Sequence, residues 1–357
     1  MPVYNNSSTS FLSDNNDKGN EFKRETKDTA LRSLWRTRNS LYVVLLTIFE
    51  ALVVIILEAV LFAKFKQKMD LLSDSKTGVG LLKGIPVYLI IFIFSLIFQV
   101  ALAWDAVHKK NTIQVIAFIL FNLCCFSYAV FQFSQIQKAI QATLGDDPFF
   151  FELQKLMIAN PVVMGVCQLA YFYLGARLYL EFGWRIYKKI GADPDIRSMY
   201  RWYQIFLTII KLDIFFFLGF SIQYLVLILH RGDVEYPLTI VALPLTCIVL
   251  ILAVYAVRHE SRQLMFLFFV GLAAGVAYFI FKICRMYDST QHDKFLYVSN
   301  FLSFFACVTL VLLLLTIVNA SICWYNFDKG LKAHLLRDLD EPSASSQENG
   351  GRTLSLD

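Results

Sequence analysis

The chain has 357 residues, of which 57% are hydrophobic and only 17% are charged. A soluble protein of this length carries about 25% charged residues, so this composition, with a mean hydropathy of +0.55, excludes an ordinary soluble domain and indicates a membrane protein. The net charge of +5 is modest, and the basic residues flank apolar segments, as they do in membrane proteins. We therefore predict a lipid bilayer as the partner of the chain and no binding of nucleic acid.

Polar tails are predicted at both ends of the chain. Residues 1–40 are rich in Asn, Ser, Asp and Lys and lack apolar periodicity, which predicts a disordered N-terminal tail. Residues 326–357 end in "EPSASSQENGGRTLSLD" and are predicted to form a second, mostly disordered tail. Residues 41–325 are predicted to form a transmembrane helical bundle, because lipid offers the backbone no hydrogen-bond partners and each span must satisfy its own.

Apolar blocks of about twenty residues, the length that crosses about 30 Å of hydrocarbon, predict the fold class: an all-α, polytopic transmembrane bundle of about eight spans. The predicted spans are Leu41–Phe62, Ile85–Ala106, Thr112–Phe133, Val162–Phe182, Ile205–Ile228, Tyr236–Val257, Leu264–Cys284 and Leu296–Ala320. An even number of spans places both termini on one side of the membrane. Outside the spans, that side holds 20 Lys and Arg against 10 on the other, so the positive-inside bias predicts cytoplasmic termini.

The longest predicted connection runs from Ser134 to Pro161 and contains "DDPFFFELQKLMIANP". Its apolar residues allow two interpretations. They form either a short amphipathic helix that lies in the lumenal interface or a loop that packs on the bundle.

Two acids lie within the first span. Glu50 is nine residues into it, about 14 Å deep at 1.5 Å per residue. An acid at this depth is expected to face the bundle and to have a partner, so Glu50 is a candidate binding residue, with a purely structural hydrogen bond or ion pair as the alternative. Glu58 follows on the same broad side of the helix. It is a second candidate, and its plainer interpretation is a solvated helix end.

The fifth span contains "TIIKLDIFFFLGF", which places Lys211 and Asp213 at the start of a long apolar run. If the span begins as drawn above, Lys211 lies about 9 Å deep, and its long stem reaches the depth of Glu50, which predicts an ion pair between them. If the span begins at Leu212, Lys211 extends to the cytoplasmic surface and Asp213 lies just below it. Both residues are candidate binding residues, but they are about 200° apart on a helix and are not expected to pair with each other.

The seventh span contains "GLAAG", from Gly271 to Gly275. This small-xxx-small pattern permits close helix contact, either within the bundle or in a homo- or hetero-oligomer. The chain has no GxxxxGK[ST], HExxH or GxSxG motif, and its five histidines are scattered. We therefore predict that it is not an enzyme and has no cofactor or metal site.

The segments "YRWYQIFLTIIKLDIFFFLGFSIQYLVLIL" (Tyr200–Leu229) and "EYPLTIVALPLTCIVLILAVYAVRHES" (Glu235–Ser261) resemble an uncharacterised family of fungal multi-pass Golgi apparatus membrane proteins. The resemblance extends from about Leu31 to Leu336 and leaves out the polar tails. Because the family has no established function, the resemblance implies a location in the Golgi membrane and no activity, functional residue or ligand.

Two kinds of function remain open. The first is a non-enzymatic carrier of a solute or lipid, or a partner-binding protein, with a polar site in the bundle. The second is a Golgi scaffold or sorting protein that acts through its cytoplasmic tails, with buried charges that are purely structural. A cavity that reaches Glu50, with Lys211 opposite, would favour the first.

Overall fold

The computed structural model describes residues 38–72, 85–144, 148–190, 194–228, 235–287 and 299–329. Within these ranges the chain forms helices and no strand: α1 (Arg38–Leu72), α2 (Ile85–His108), α3 (Thr112–Leu144), α4 (Pro148–Ile190), α5 (Pro194–Leu227), α6 (Glu235–Arg258), α7 (Arg262–Met286) and α8 (Ser299–Tyr325). All eight are long and apolar enough to cross a membrane, which confirms the predicted all-α bundle of eight spans. The predicted tails, 1–40 and 326–357, lie largely outside the described residues.

Both interpretations of the connection between the third and fourth spans are wrong. α3 continues to Leu144 and α4 begins at Pro148, so 134–144 and 148–161 are parts of long helices. Pro161 lies inside α4, where neighbouring helices make a missing backbone hydrogen bond tolerable. Leu153 and Met157 are buried because α4 packs against α1 and α3. This segment therefore belongs to the bundle.

The eight helices form two four-helix halves with the same arrangement. In the first half α1 packs against α2 and α4, and α3 packs against the same two helices. In the second half α5 packs against α6 and α8, and α7 packs against the same two helices. Each half is therefore a closed ring of four antiparallel neighbours, and side chains from all four helices point into its centre.

The pair α2 and α3 is also related to the pair α6 and α7 by an offset of 150 residues. α2 and α6 each have 24 residues, begin 150 residues apart and are followed by three-residue turns. In these turns Lys110 and Glu260 both have positive φ, 49° and 54°. The last residue of each turn donates to the carbonyl five residues back, at 3.1 and 2.9 Å. The segments "LAWDAV" (102–107) and "LAVYAV" (252–257) precede the turns. The chain thus contains a four-helix repeat, which was not predicted.

The halves meet where α2 and α3 contact α5, and where α3 contacts α8. Aromatic side chains fill this interface. The ring centroid of Phe215 lies 4.6 Å from that of Phe98 and 4.9 Å from that of Phe121, and Tyr128 lies 5.7 Å from Phe305. Such ring pairs stabilise a contact beyond the apolar area that they bury. The outer groove between α2 and α3 is therefore closed by side chains of the second half.

Candidate functional site

Five polar side chains from the four helices of the first half form the Glu50 cluster: Glu50, Gln99, Asn122, Gln168 and Tyr171. The Tyr171 hydroxyl donates to Glu50 Oε2 at 2.5 Å, and Gln99 Nε2 donates to the same oxygen at 3.0 Å. Gln99 Nε2 also donates to Asn122 Oδ1, and Asn122 Nδ2 donates to Gln168 Oε1, both at 2.8 Å. Glu50 is fully buried. The prediction that Glu50 faces the bundle and has partners is confirmed.

The predicted ion pair between Glu50 and Lys211 is wrong. Lys211 Nζ contacts the carboxylate of Asp105, near the end of α2, and Asp105 also pairs with Lys109 at 2.7 Å. The side chains of Lys211 and Asp105 are 30% and 28% exposed. Lys211 therefore lies on a partly exposed face of α5, away from Glu50. Its extension to the cytoplasmic surface stays a prediction. At Glu50, the Tyr171 hydroxyl and the Gln99 side-chain amide donate hydrogen bonds in place of the predicted lysine.

Glu58 is not a solvated helix end, because α1, α3 and α4 all extend past the predicted span ends and enclose it. Its exposed fraction is 1%. Gln132 Nε2 of α3 lies 3.3 and 3.2 Å from the two carboxyl oxygens, and Asn160 Nδ2 of α4 donates to Oε1. These three residues form the Glu58 cluster. It is a second polar connection across the same ring of helices.

Asp213 lies inside the second half and is 1% exposed. The Thr316 hydroxyl of α8 donates to Asp213 Oδ2 at 2.5 Å, whereas Oδ1 has no hydrogen-bond partner among the described residues. Lys211 and Asp213 therefore contact different helices, α2 and α8, as their angular separation predicted. Asp213 also forms part of the wall of a cavity of about 300 Å³, which we name the Asp213 cavity.

The Asp213 cavity lies between α5, α6, α7 and α8 and is lined mainly by apolar side chains. Its lining extends from Phe268 to Phe279 on α7, about 16 Å along the helix at 1.5 Å per residue. This length is about half the thickness of the hydrocarbon core. Leu245, Gly271 and Ala274 line the cavity and are exposed on the bundle surface. The cavity therefore opens sideways between α6 and α7.

Gly271 and Gly275 act within the bundle, which is one of the two predicted interpretations. A Cβ atom on Gly271 would lie 3.5 Å from Val249 of α6, and one on Gly275 would lie 3.6 Å from Leu313 of α8. Both glycines line the Asp213 cavity. A Cβ atom at these distances would make ordinary contacts, so the glycines leave space beside α7 but the helix positions do not require them. Association of the chain into an oligomer through these glycines stays a prediction.

Sequence reasoning missed the amides that hold the acids. These side chains are uncharged, so burying one in an apolar span costs less free energy than burying an acid, and the sequence alone did not single them out. They are Gln99, Asn122, Gln132 and Asn160. The sequence feature that could have identified them is an amide side chain, which has both donor and acceptor atoms, within an apolar block. Among the described residues, no group of three or more His, Cys, Asp or Glu is placed to hold a metal ion.

This fold, with acids and amides buried among eight spans, defines a polytopic helical membrane protein. The chain is 32% identical over 324 residues to a UPF0658 Golgi apparatus membrane protein of Schizosaccharomyces pombe, and the match covers 84% of this chain and 90% of the relative. The chain belongs to this uncharacterised fungal family and is a multi-pass Golgi membrane protein. No family model matches the chain. No solved structure matches it either.

Proposed function

We propose that the chain is a non-enzymatic carrier or binding protein for a small molecule held within the second half of the bundle. The observation that supports this proposal is the Asp213 cavity, with its volume of about 300 Å³. Ligand sites usually have volumes of about 300–1,000 Å³ and mostly apolar walls with a few polar groups. Asp213 supplies a polar group inside an apolar wall, and its buried Oδ1 atom accepts no hydrogen bond from the described residues.

Glu50 and Glu58 have a different role in this proposal. Their carboxyl oxygens accept hydrogen bonds from side chains of α2, α3 and α4, so they hold the first half together. The polar site predicted at Glu50 and Lys211 is thus assigned to Asp213 instead. The scaffold alternative depends on the tails, which lie outside the described residues, and no described contact favours it.

The test is the retention of a small molecule by the purified full-length protein. Ala274→Leu adds bulk to the wall of the cavity, and Ala273→Leu is the matched control because Ala273 is exposed on the same helix and does not line the cavity. Mass spectrometry of extracts from detergent-purified protein is expected to find a co-purifying molecule in the wild type and in Ala273→Leu. Its amount should fall severalfold in Ala274→Leu. Equal amounts in both variants, or no bound molecule in any of them, would contradict the proposal.

A further inference from the structure

The lining of the Asp213 cavity defines a class of ligand. We infer that the cavity holds a single-chain amphiphile that enters from the bilayer between α6 and α7 and donates a hydrogen bond from its polar group to Asp213. This inference rests on the proposed function and adds the chemistry of the ligand and its route of entry. Four features support it: the four-helix repeat, the shape of the cavity, the Asp213 oxygen that accepts no hydrogen bond from the described residues, and the opening between α6 and α7.

The repeat relates the lining of the cavity to residues of the first half. At the offset of 150 residues, Phe92 and Phe121 of the first half correspond to Ala242 and Gly271 of the second. Phe92 and Phe121 are almost fully buried in the groove between α2 and α3, which side chains of α5 and α8 close. Ala242 and Gly271 instead line the Asp213 cavity. Two aromatic rings of the first half thus have small residues as their counterparts in the second half.

The size and shape of the cavity fit one apolar chain. An apolar cavity of about 150 Å³ accommodates benzene, so about 300 Å³ has room for about a dozen carbon atoms. The cavity is elongated along the helix axes rather than compact. A membrane lipid with two chains exceeds this volume, whereas the chain of a single-chain amphiphile matches it.

The unpaired oxygen defines the polar group of the ligand. Asp213 Oδ1 is buried and accepts no hydrogen bond from the described residues, and a carboxyl group at this depth is expected to have partners. An ionised carboxylate only accepts hydrogen bonds, so the partner that suits ionised Asp213 is a donor such as a hydroxyl or an ammonium group. A carboxylate or phosphate on the ligand would bring a second negatively charged acceptor against the Asp213 carboxylate, so ligands with these groups are disfavoured.

The lateral opening defines the route. α6 and α7 are the least buried of the eight described spans. In the apolar stretch of each, only 22% of the residues are buried. Leu245 and Ala274 lie on their surface and also line the cavity. An apolar chain in the bilayer therefore reaches the cavity without crossing water.

The experiment compares three probes that share a twelve-carbon chain: dodecylamine, dodecanol and dodecanoate. Each is added to full-length protein in detergent, and the bound fraction is measured by native mass spectrometry. Dodecylamine and dodecanol are expected to bind with one molecule per chain, and dodecanoate at least tenfold more weakly. Asp213→Asn removes the charged acceptor and should weaken dodecylamine binding about tenfold. Ala274→Leu should weaken dodecylamine and dodecanol binding, and Ala273→Leu should weaken neither.

Several results would overturn the inference. They are equal binding of dodecanoate and dodecylamine, unchanged dodecylamine binding in Asp213→Asn, or a change of oligomeric state as the main effect of Ala274→Leu, which would identify a second copy of the chain as the occupant. If all three probes fail to bind but a water-soluble molecule co-purifies and is lost in Ala274→Leu, the inference is wrong and the proposed function stands. If nothing binds, both are wrong.

Discussion

Lys211 on α5 is paired with Asp105 near the end of α2, so this ion pair joins the two halves of the bundle. A second polar contact lies nearby, where Asn111 Nδ2 donates to Gln204 Oε1 of α5 at 2.7 Å. Deeper in the interface the contacts are aromatic, as between Phe215 and the first half. The halves are therefore held together by polar groups near the turn between α2 and α3 and by aromatic rings deeper in the interface.

The pairing of Lys211 is tested by double-mutant cycles on unfolding in detergent. Lys211→Leu should lower the free energy of unfolding by about 1 kcal/mol or less, because the pair is partly exposed and Asp105 keeps Lys109. Its effect should be additive with that of Glu50→Leu within about 0.5 kcal/mol, because the two residues share no partner. It should not be additive with Asp105→Asn. Coupling of Lys211 to Glu50 instead of Asp105 would contradict the assignment.

The role of Glu50 is tested by comparing two substitutions. Glu50→Gln keeps an oxygen that accepts from Tyr171, whereas Glu50→Leu leaves the Tyr171 hydroxyl without this acceptor. Glu50→Leu should therefore lower the free energy of unfolding by about 1–3 kcal/mol, and Glu50→Gln by clearly less. Phe49→Leu, at an exposed neighbouring position, is the control and should change little. Equal losses for both Glu50 variants would show that the acid itself, rather than its hydrogen bonds, is required.

Thr316 and Thr309 form a matched pair on α8, since both are fully buried. Thr316 donates to Asp213, whereas Thr309 donates to the Phe305 carbonyl of its own helix at 2.6 Å. Thr316→Val leaves both Asp213 oxygens without a donor and should cost about 1–3 kcal/mol of stability. In Thr309→Val the Phe305 carbonyl keeps its backbone hydrogen bond within α8, so the loss of stability should be smaller. Thermal unfolding in detergent measures both, and the opposite order would refute the Asp213–Thr316 contact.

The packing of α5 against α8 within the second half is tested at Gly219 of α5. A Cβ atom there would lie 2.5 Å from Phe305 Cε1 and 2.9 Å from Cδ1, and this ring is fixed among other aromatic side chains. Gly219→Ala should therefore destabilise the protein by about 1–3 kcal/mol. Gly183 of α4 has no atom within 4 Å of the corresponding position, so Gly183→Ala should stabilise by about 0.5–1 kcal/mol through helix propensity. A neutral Gly219→Ala would mean that α5 and α8 do not pack as described.

The sequence predicted the span count and the burial of Glu50, because both follow from the cost of polar groups in lipid. It did not predict the lengths of α3 and α4, since polar residues such as Ser134 and Gln137 end an apolar block without ending α3. It also missed the partners of Glu50 and Glu58. Depth along one helix is readable from sequence, but the angular position of neighbouring helices is not, and that position decides which side chain meets an acid.

The site itself was only partly predictable. Asp213 was a candidate, but the cavity beside it depends on which face of α7 carries Gly271 and on the absence of a ring from the groove. The offset of 150 residues between "LAWDAV" and "LAVYAV" was the available signal for the repeat. The cytoplasmic location of both termini stays a prediction from the distribution of Lys and Arg.

An experimental density map of the full-length protein in lipid nanodiscs tests the central claim most directly, because it locates the cavity and its occupant together. We predict an elongated density between α6 and α7 that ends within hydrogen-bonding distance of Asp213 Oδ1. Close packing of α6 and α7 against α5 and α8, with no space beside Asp213, would contradict a ligand site in the second half of the bundle.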